Sequence, residues 1–422
     1  MSLDVLEISD RLWRGELQIE DVHPFSLLGD VEELADGVAF VPSFANVSAL
    51  RTADGLVLVD TGSAPLAEHV HRTLRTWDAA PLHTAVYSHG HIDHVFGVPL
   101  FAAEAAERGW APPRVVAHEA LPHRFERYVL TAGYNEIVNQ RQFSMPGLRW
   151  PRDYHYPDTT YRSSLALDVG GVEVRLTHCR GETDDHTWTW VPERKVLCSG
   201  DLFIWASPNA GNPQKVQRYP REWAAGLRTM ADLGAELLLP GHGVPIAGAD
   251  RIRQALTDSA ELLEHLHDQT VAMMNDGARL DDIVHTVRAP QHLLDRPYLR
   301  PVYDEPEFVV RNVWRLYGGW WDGDPAHLKP APAAELAREI ATLAGGPERL
   351  AERALALAAA GDLRLAGHLA ELALQAAPGS QVAQQAQARV YAQRAEVEGS
   401  TMAKGVFRWT SEQASRLGRA QA

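Results

Sequence analysis

The sequence predicts an α/β domain followed by an all-α helical domain, and three observations lead to this fold class. Short β-rich runs alternate with helical patterns up to about residue 250. Most of these runs lead into a turn that contains His, Asp or Gly, which is typical of sites held at strand ends. After residue 250 the sequence is helical in character. We therefore predict two domains, residues 1–250 and residues 251–422.

The first domain is predicted from short strands and intervening helices. Helical patterns cover residues 65–77 and 220–233. The predicted strands are residues 37–41, 56–59, 84–87, 114–117, 172–176, 195–197 and 237–239.

The second domain begins with a continuous helical pattern over residues 251–275, followed by a stretch punctuated by proline from Pro290 to Pro332. The remainder is rich in Ala and Leu at three- and four-residue spacing, with breaks at Gly361-Asp362 and at Pro378-Gly379-Ser380. The predicted helices there are residues 347–360, 363–376, 381–396 and 400–417. These hairpins are too few for a repeat array, so we predict an accessory or dimerisation domain.

Composition and charge exclude several classes of function. The formal net charge of −15 opposes binding to nucleic acid and to anionic membrane surfaces. No window approaches the ~18 consecutive apolar residues of a membrane span, and the N-terminus has no basic region followed by an apolar core. With only 2 cysteines a disulfide framework is not expected. We expect a cytoplasmic protein without membrane insertion and without a nucleic-acid partner.

A metal site is predicted by the segment from Ser88 to His94, which follows the strand-like residues 85–87. Three imidazoles and a carboxylate within six residues are hard to explain unless a metal ion shares their lone pairs. The alternate residues His89 and His91 can face one ion, and Asp93 with His94 can face a second. Nitrogen ligands with an oxygen ligand suit zinc best, and iron, manganese and cobalt remain open.

This segment resembles the signature His-x-His-x-Asp-His of the metallo-β-lactamase superfamily. Three further positions match that family in order: Asp60 after an apolar strand, Asp201 in Cys198-Ser199-Gly200-Asp201, and His242 in Pro240-Gly241-His242-Gly243. The resemblance implies an αββα sandwich with two metal ions. It also implies that Asp201 bridges the metals and that Asp60 orients ligands without binding metal.

One position departs from the common pattern of the superfamily. Most members have a His where this chain has Glu182, in Arg180-Gly181-Glu182-Thr183. We expect Glu182 to complete the first metal site with His89 and His91, while His178 and His186 are the alternative third ligands. With Glu182 as the ligand, His186 becomes a candidate group for substrate binding or proton transfer.

Glu182 at that position is similar to the alkylsulfatase-like branch of the superfamily. Residues 311–328, with Gly319-Trp320-Trp321-Asp322-Gly323-Asp324-Pro325, resemble another signature of that branch, and the helical hairpins resemble its dimerisation domain. The resemblance implies a homodimer and favours a contact between domains or subunits for the tryptophans. That branch usually continues into a sterol-carrier-like domain, which we expect to be lacking because the sequence ends at Ala422.

Substrate residues are expected in two segments. Residues 128–143 resemble a substrate-side segment of the branch. This resemblance indicates Tyr134, Asn135 and Arg141 as substrate residues. The sulfate-side arginine of the family is not found in the loop after Asp201. Its possible substitutes are Asn209, Asn212, Lys215 and Arg218.

The predicted function is metal-assisted hydrolysis of an alkyl sulfate or related ester by a hydroxide that bridges two divalent metals, with zinc expected. The catalytic residues are expected to be Asp93, Asp201 and His186. The alternatives are a lactonase, thioesterase or phosphodiesterase on the same fold, a mononuclear iron sulfur-dioxygenase, and a non-catalytic scaffold. The predicted metal ligands are His89, His91, Asp93, His94, Glu182, Asp201 and His242.

Overall fold

The computed structural model describes residues 4–420, with side chains to residue 416. The chain forms two compact units. The first contains the described residues up to Ala132 together with Pro151–Gly319, and the second contains Gly133–Trp150 together with the residues from Trp320 onward. The predicted domain boundary after residue 250 stays a prediction. The two compact units divide the chain at other positions, because the helices between residues 249 and 319 belong to the unit that contains the sheets.

The first unit contains two mixed sheets, as the predicted α/β class requires. Six of the strands were not among the predicted ones, namely β1, β3, β7, β8, β10 and β13 below. The strands are β1 Glu32–Ala35, β2 Val38–Val41, β3 Val47–Thr52, β4 Gly55–Val59, β5 Leu82–Val86, β6 Arg114–His118, β7 Thr159–Tyr161, β8 Ser164–Val169, β9 Val172–His178, β10 Thr187–Val191, β11 Val196–Ile204, β12 Leu237–His242 and β13 Ile246–Ala247.

The first sheet has seven strands in sequence order from β1 to β7. Strands β1 to β4 pair antiparallel, and β4, β5, β6 and β7 pair parallel. All five residues of β4 are buried, which is typical of a parallel strand covered on both faces. Because β4 and β5 run in the same direction, the residues that follow them, from Asp60 and from Tyr87, leave the sheet at one edge.

The second sheet has six strands in the order β13-β12-β11-β10-β9-β8. Its strands pair antiparallel except for β11 and β12, which are parallel. Strand β11 is buried along all nine residues and continues through Asp201, where the sequence predicted that a strand had already ended. Its register with β12 shifts on both sides of Gly200, so Asp201 lies in an irregular part of the strand.

One helix precedes β1, and the others lie between the strands or after β13. The regular helical pattern of residues 251–275 forms a 27-residue helix, the longest among residues 4–420. Short 3₁₀ segments span Ala64–Leu66 and Pro192–Arg194. The helices are α1 Val5–Trp13, α2 Ala67–Trp77, α3 Val98–Arg108, α4 Leu121–Leu130, α5 Ala132–Phe143, α6 Pro220–Ala231, α7 Ala249–Asn275, α8 Leu280–Thr286, α9 Gln291–Leu294, α10 Pro306–Tyr317, α11 Pro325–Leu328, α12 Ala333–Ala344, α13 Pro347–Ala359, α14 Leu363–Ala376, α15 Gln381–Val397 and α16 Thr401–Ala420.

The second unit is helical and contains α11 to α16 with most of α5. Helix α13 packs on α14, and α15 packs on α16. The core between α12 and α15 is built from small residues such as Ala351, Ala373 and Ala386, which let the helices approach closely. The predicted helical C-terminal region is therefore confirmed, and the bounds of its four predicted helices agree with the observed ones to within three residues. Over residues 4–420, no helix has the length and apolar character of a membrane span.

Candidate metal centre

The histidine-rich segment lies directly after β5, at the edge of the sheet where β4 also ends. His89 and His94 are fully buried, whereas the side chains of His91 and Asp93 are 19% and 18% exposed. The backbone N–H of His94 donates to the carbonyl of His91 at 3.1 Å, which closes the segment into a turn. The turn brings all four polar side chains to one side of the sheet edge.

The second sheet supplies three more side chains. Glu182 lies in the loop between β9 and β10, Asp201 in β11 and His242 at the end of β12. Gly200 has a φ of +51°, and a Cβ there would come within 2.7 Å of Ser88 Cβ and of His186 Cε1. Only glycine fits this close approach, which sets Asp201 against the segment that follows β5.

The seven predicted ligands form two groups of side chains whose ligand atoms lie within 4.8 Å of one another. The first group joins His89, His91, Glu182 and Asp201. The second group joins Asp93, His94 and His242. Each group contains both nitrogen and oxygen donors, the combination that divalent zinc accepts.

Asp201 lies between the two groups. Its Oδ2 is 3.8 Å from His89 Nε2 and 3.3 Å from His242 Nε2, and its Oδ1 is 3.5 Å from His94 Nε2. Two ligand atoms at ~2.1 Å from one tetrahedral ion are about 3.4 Å apart. The separations around Asp201 therefore fit ligand atoms that surround an ion.

Several of the same atoms are buried without a hydrogen-bond partner among the described residues. They include Glu182 Oε2, Asp201 Oδ1, His94 Nε2 and His242 Nε2. A buried polar atom left unpaired costs about 1–3 kcal/mol, so its occurrence at four neighbouring atoms calls for a shared partner. This set of donor atoms fits divalent metal ions. That these residues bind metal stays a prediction.

Hydrogen bonds on the far side of the imidazole rings orient two of the histidines. His94 Nδ1 donates to Asp60 Oδ2 at 2.8 Å, and His242 Nδ1 donates to the carbonyl of Phe44. Asp60 also accepts from the backbone N–H and the hydroxyl of Ser88, at 2.7 and 2.8 Å. These contacts leave Nε2 of both histidines aimed at the centre, as is usual for metal-binding imidazoles.

Glu182 is held by two residues that the sequence assigned to the substrate. Asn209 Nδ2 donates to Glu182 Oε1, and Arg218 Nη1 lies 3.1 Å from the same oxygen. Arg218 Nη1 also donates to the backbone carbonyl of Glu182 at 2.5 Å. Both side chains are buried, so they fix Oε1 and leave Oε2 facing His89 and His91 at 3.8 and 3.9 Å.

His186 is fully buried and stacks on His89, with ring centroids 4.6 Å apart. Its Nε2 accepts the backbone N–H of Asp201 at 3.1 Å. That hydrogen bond gives His186 a role in positioning Asp201, whereas its predicted part in catalysis stays a prediction. His178 stacks on His118 at 3.6 Å and falls in neither group of ligand atoms found among the described residues.

The other predicted substrate residues lie in different places. Asn212 is buried and its Oδ1 accepts the backbone N–H of Gln214 at 3.1 Å. Tyr134, Asn135 and Arg141 lie on α5, within the second compact unit. Tyr134 is exposed and Asn135 is buried, and their assignment to substrate stays a prediction.

Burial and neighbouring charge set the electrostatics of the centre. Burial holds the pKa values of His89 and His91 well below the usual histidine value. Burial would also raise the pKa of Asp201, but His242 and His94 beside it hold that pKa well below its usual range. For Glu182, burial raises the pKa well above its usual value and outweighs the opposing charge of Arg218. Burial would lower the pKa values of His94 and His242, but the carboxylates beside them raise both, that of His242 to about 9. Divalent ions require neutral imidazoles and ionised carboxylates, so metal binding would displace protons from these two histidines and from Glu182.

Two residues at the centre were missed by sequence reasoning. Asp185 is fully buried and accepts from Gly90 N–H and from Arg124 Nε, both at 2.8 Å. Arg124 lies on the buried face of α4 with Leu121, Phe125 and Tyr128. A positive charge on the apolar face of a helix is a signal that could have identified Arg124, because such a group needs a buried partner.

Two family models match the chain. The model of the metallo-beta-lactamase superfamily matches residues 41–242, and the model of alkyl sulfatase dimerisation matches residues 279–416. The first match contains all seven residues of the two ligand groups. The chain is therefore a metallo-beta-lactamase superfamily domain joined to an alkyl sulfatase dimerisation domain.

Several of its relatives are alkylsulfatases. It is 30% identical over 341 residues to a linear primary-alkylsulfatase of Pseudomonas sp. (strain ATCC 19151), with 75% of this chain and 63% of that protein covered. It is 26% identical over 373 residues to an (R)-specific secondary-alkylsulfatase of Pseudomonas sp., with 82% and 56% covered. The chain thus spans less than two thirds of the length of these relatives.

A solved structure shows the same fold. The inverting sec-alkylsulfatase Pisa1 from Pseudomonas sp. superposes with a TM-score of 0.81 over 92% of this chain and 65% of that one, at 24% identity. The predicted metallo-beta-lactamase fold followed by a helical region is confirmed.

Proposed function

We propose that this chain is a hydrolase that uses two divalent metal ions, zinc before others, to cleave alkyl sulfate esters. The observation that carries the proposal is the position of Asp201 between two groups of buried nitrogen and oxygen donors. The alkylsulfatases among the relatives support the sulfate ester as the substrate class. When bound, the two ions would lower the pKa of a shared water and supply hydroxide at neutral pH.

The chain's own residues would fix the geometry around that water. Asp201 would contribute to both sites, because its Oδ2 lies 3.8 Å from His89 of the first group and 3.3 Å from His242 of the second. Glu182 would offer one oxygen only, because Asn209 and Arg218 hold the other. Fixed donors of this kind need no rearrangement as charge develops in the reaction.

The substrate would approach beside His91 and Asp93. Their side chains retain 19% and 18% exposure, whereas His89, His94 and His242 are almost completely enclosed. Lys215 lies within electrostatic range of Asp93 and Glu182. Burial and the charge of Arg218 lower the pKa of Lys215 to about 7. Lys215 is therefore a candidate for the sulfate side of the site that is cationic below about that pH, in place of the arginine that the sequence lacks in the loop after Asp201.

The proposal also includes a homodimer formed through the helical region. The family model of dimerisation covers residues 279–416. In the second unit, Trp320, Leu336 and Leu343 are 75%, 55% and 88% exposed, an unusual exposure for large apolar side chains. A cytoplasmic location stays a prediction.

Release of inorganic sulfate from a medium-chain alkyl sulfate tests the substrate class. A lactone, a thioester and a phosphodiester of similar chain length are assayed in parallel. We expect kcat/KM for the sulfate ester to exceed the others by at least about 100-fold, since a matched polar group is strongly discriminated. Hydrolysis of one of the other esters with no sulfate release would overturn the substrate assignment and favour that alternative.

A further inference from the structure

Asp185 and Arg124 form a buried ion pair beside the first ligand group. Asp185 Oδ1 accepts from Arg124 Nε at 2.8 Å, and their side chains are 0% and 2% exposed. Arg124 Nη2 also contacts the neighbouring Asp184. Burial would lower the pKa of Arg124, but these carboxylates raise it, so the guanidinium stays charged.

The same pair joins two segments that carry ligands. Asp185 Oδ2 accepts the backbone N–H of Gly90 at 2.8 Å, and Gly90 separates His89 from His91. Asp185 itself follows Glu182 by three residues in the loop between β9 and β10. One carboxylate therefore ties the His89–His91 turn to the Glu182 loop, and Arg124 anchors that carboxylate to α4.

The packing around Gly90 explains why the turn can approach the pair so closely. A Cβ at position 90 would lie 2.8 Å from Arg124 Cδ and 3.2 Å from Asp185 Oδ2. Any side chain there would push Arg124 away and lengthen the bond between Gly90 and Asp185. The glycine within the histidine motif is thus required by the ion pair next to it.

We propose that Asp185 and Arg124 are positioning residues that set the separation of His89 and His91 from Glu182, and so the metal affinity of the first site alone. The second group, Asp93, His94 and His242, is oriented by Asp60 and Phe44 and has no contact with this pair among the hydrogen bonds described. The inference rests on the proposed two-metal centre. Residues that orient metal ligands typically contribute 10- to 100-fold to metal affinity.

Metal retention by the full chain, loaded with zinc or cobalt, tests this inference. The variants are Asp185→Asn, which leaves a single acceptor oxygen, and Arg124→Lys, which keeps the charge without the guanidinium fork. The matched control is Arg75→Lys, since Arg75 forms a largely enclosed pair with Glu104 at 2.7 Å, with side chains 13% and 10% exposed, and neither residue belongs to the ligand groups. Each protein is dialysed against increasing chelator, and bound metal per chain is counted.

We expect both variants to lose one of two ions at chelator concentrations at least about 10-fold lower than the wild type and Arg75→Lys. The absorption bands of the cobalt form should change in the variants and stay unchanged in the control. A general loss of stability would instead release both ions together. Release of both ions together, or retention and spectra equal to those of Arg75→Lys, would overturn the inference.

The two proposals fail differently in this experiment. If the wild-type chain binds fewer than two ions, the proposed metal centre itself is wrong. If the wild type binds two ions and cleaves no sulfate ester, the proposed substrate class is wrong. Metal retention by the Asp185 and Arg124 variants still tests the inference in that case. Should Asp185→Asn not fold, Arg124→Lys gives the same measurement on its own.

Discussion

Nδ1 of His94 donates a hydrogen bond of 2.8 Å to the carboxylate of Asp60, a residue that itself has a φ of +61°. Asp tolerates this left-handed conformation better than most side chains. The bond turns Nε2 of His94 towards Asp201, 3.5 Å away. The orientation of His94 in the second ligand group therefore depends on a residue that lies in neither group of ligand atoms.

Substitution of Asp60 tests that dependence. In Asp60→Asn the amide can no longer accept all three hydrogen bonds from Ser88 and His94. We expect metal affinity at the second site to fall by about 10- to 100-fold with the first ion retained, measured by chelator competition. Glu104→Gln, a change at a half-buried carboxylate that belongs to neither ligand group, is the control. Unchanged affinity in Asp60→Asn would contradict the assigned role.

Glu182 tests the unusual ligand of the first site. Glu182→Ala removes Oε2, which lies 3.8 Å from His89 Nε2 and 3.9 Å from His91 Nδ1. We expect one ion per chain instead of two, and a loss of kcat of at least about 100-fold, since the water would lose one of its metals. Metal analysis and sulfate release provide the measurements. Normal metal content and turnover in this variant would show that another residue is the ligand.

Substitutions of Arg218 and Asn209 test whether these residues position Glu182 or contact the substrate. Because both hold Oε1 of Glu182, Arg218→Ala and Asn209→Ala should lower metal affinity at the first site in the absence of any substrate. Arg218→Ala should have the larger effect, as it leaves a buried carboxylate without its counter-charge. Equilibrium dialysis measures both. Variants with wild-type metal affinity and a raised KM alone would restore the substrate role that the sequence predicted.

Asp304 predicts a pH dependence of stability. Its carboxylate is fully buried and accepts hydrogen bonds from the backbone N–H groups of Gly211 and Glu305 at 2.5 and 2.8 Å. These hydrogen bonds lower the pKa of Asp304, but burial has the larger effect and raises it to about 7. Between pH ~4 and ~7 the folded chain holds a proton that the unfolded chain has lost. The free energy of unfolding should therefore fall as the pH rises through this window, by up to ~4 kcal/mol.

The comparison that isolates this effect is Asp304→Asn, which cannot ionise. Urea unfolding of both proteins at several pH values between 4 and 8 shows whether the wild type loses stability relative to the variant. Titration of the metal ligands is common to both and cancels in the difference. A difference that stays constant with pH, or that grows in the other direction, would contradict the raised pKa of Asp304.

The exposed leucines of α12 test the dimer. Leu336→Glu and Leu343→Glu place a charge on side chains that are 55% and 88% exposed. We expect a dimer in the wild type and at least about a 10-fold weaker association in the variants, because a charge buried in an interface is costly. Light scattering over a range of concentrations measures it, with Leu130→Glu, at an 84% exposed leucine of α4, as the control. A monomeric wild type would contradict the proposal.

Much of the centre could be predicted because its ligands are close in sequence or follow strands. His89 to His94 form one local motif, and Asp201 and His242 lie in strands with apolar runs. Glu182 needed the family resemblance, since a single Glu in a loop carries no pattern of its own. Asn209 and Arg218 were assigned to the substrate because the sequence cannot show that their loop folds over Glu182.

Contacts between distant segments account for what the sequence missed. Arg124 and Asp185 are 61 residues apart, and Asp304 meets Gly211 over 93 residues. The strand β10 was not predicted either, although its Thr-Trp-Thr-Trp pattern alternates as a strand does. Strand β11 continues through Asp201 despite the positive φ of Gly200, a backbone feature that composition does not reveal.

The proposed two-metal alkylsulfatase activity is tested most directly on one sample purified without a histidine tag. Metal content and sulfate release are both measured while a chelator is titrated into it. We predict two divalent ions per chain at the start, loss of sulfate release as the ions leave, and recovery of activity when zinc is returned. One iron per chain, or sulfate release that persists after the metal has been removed, would contradict the account.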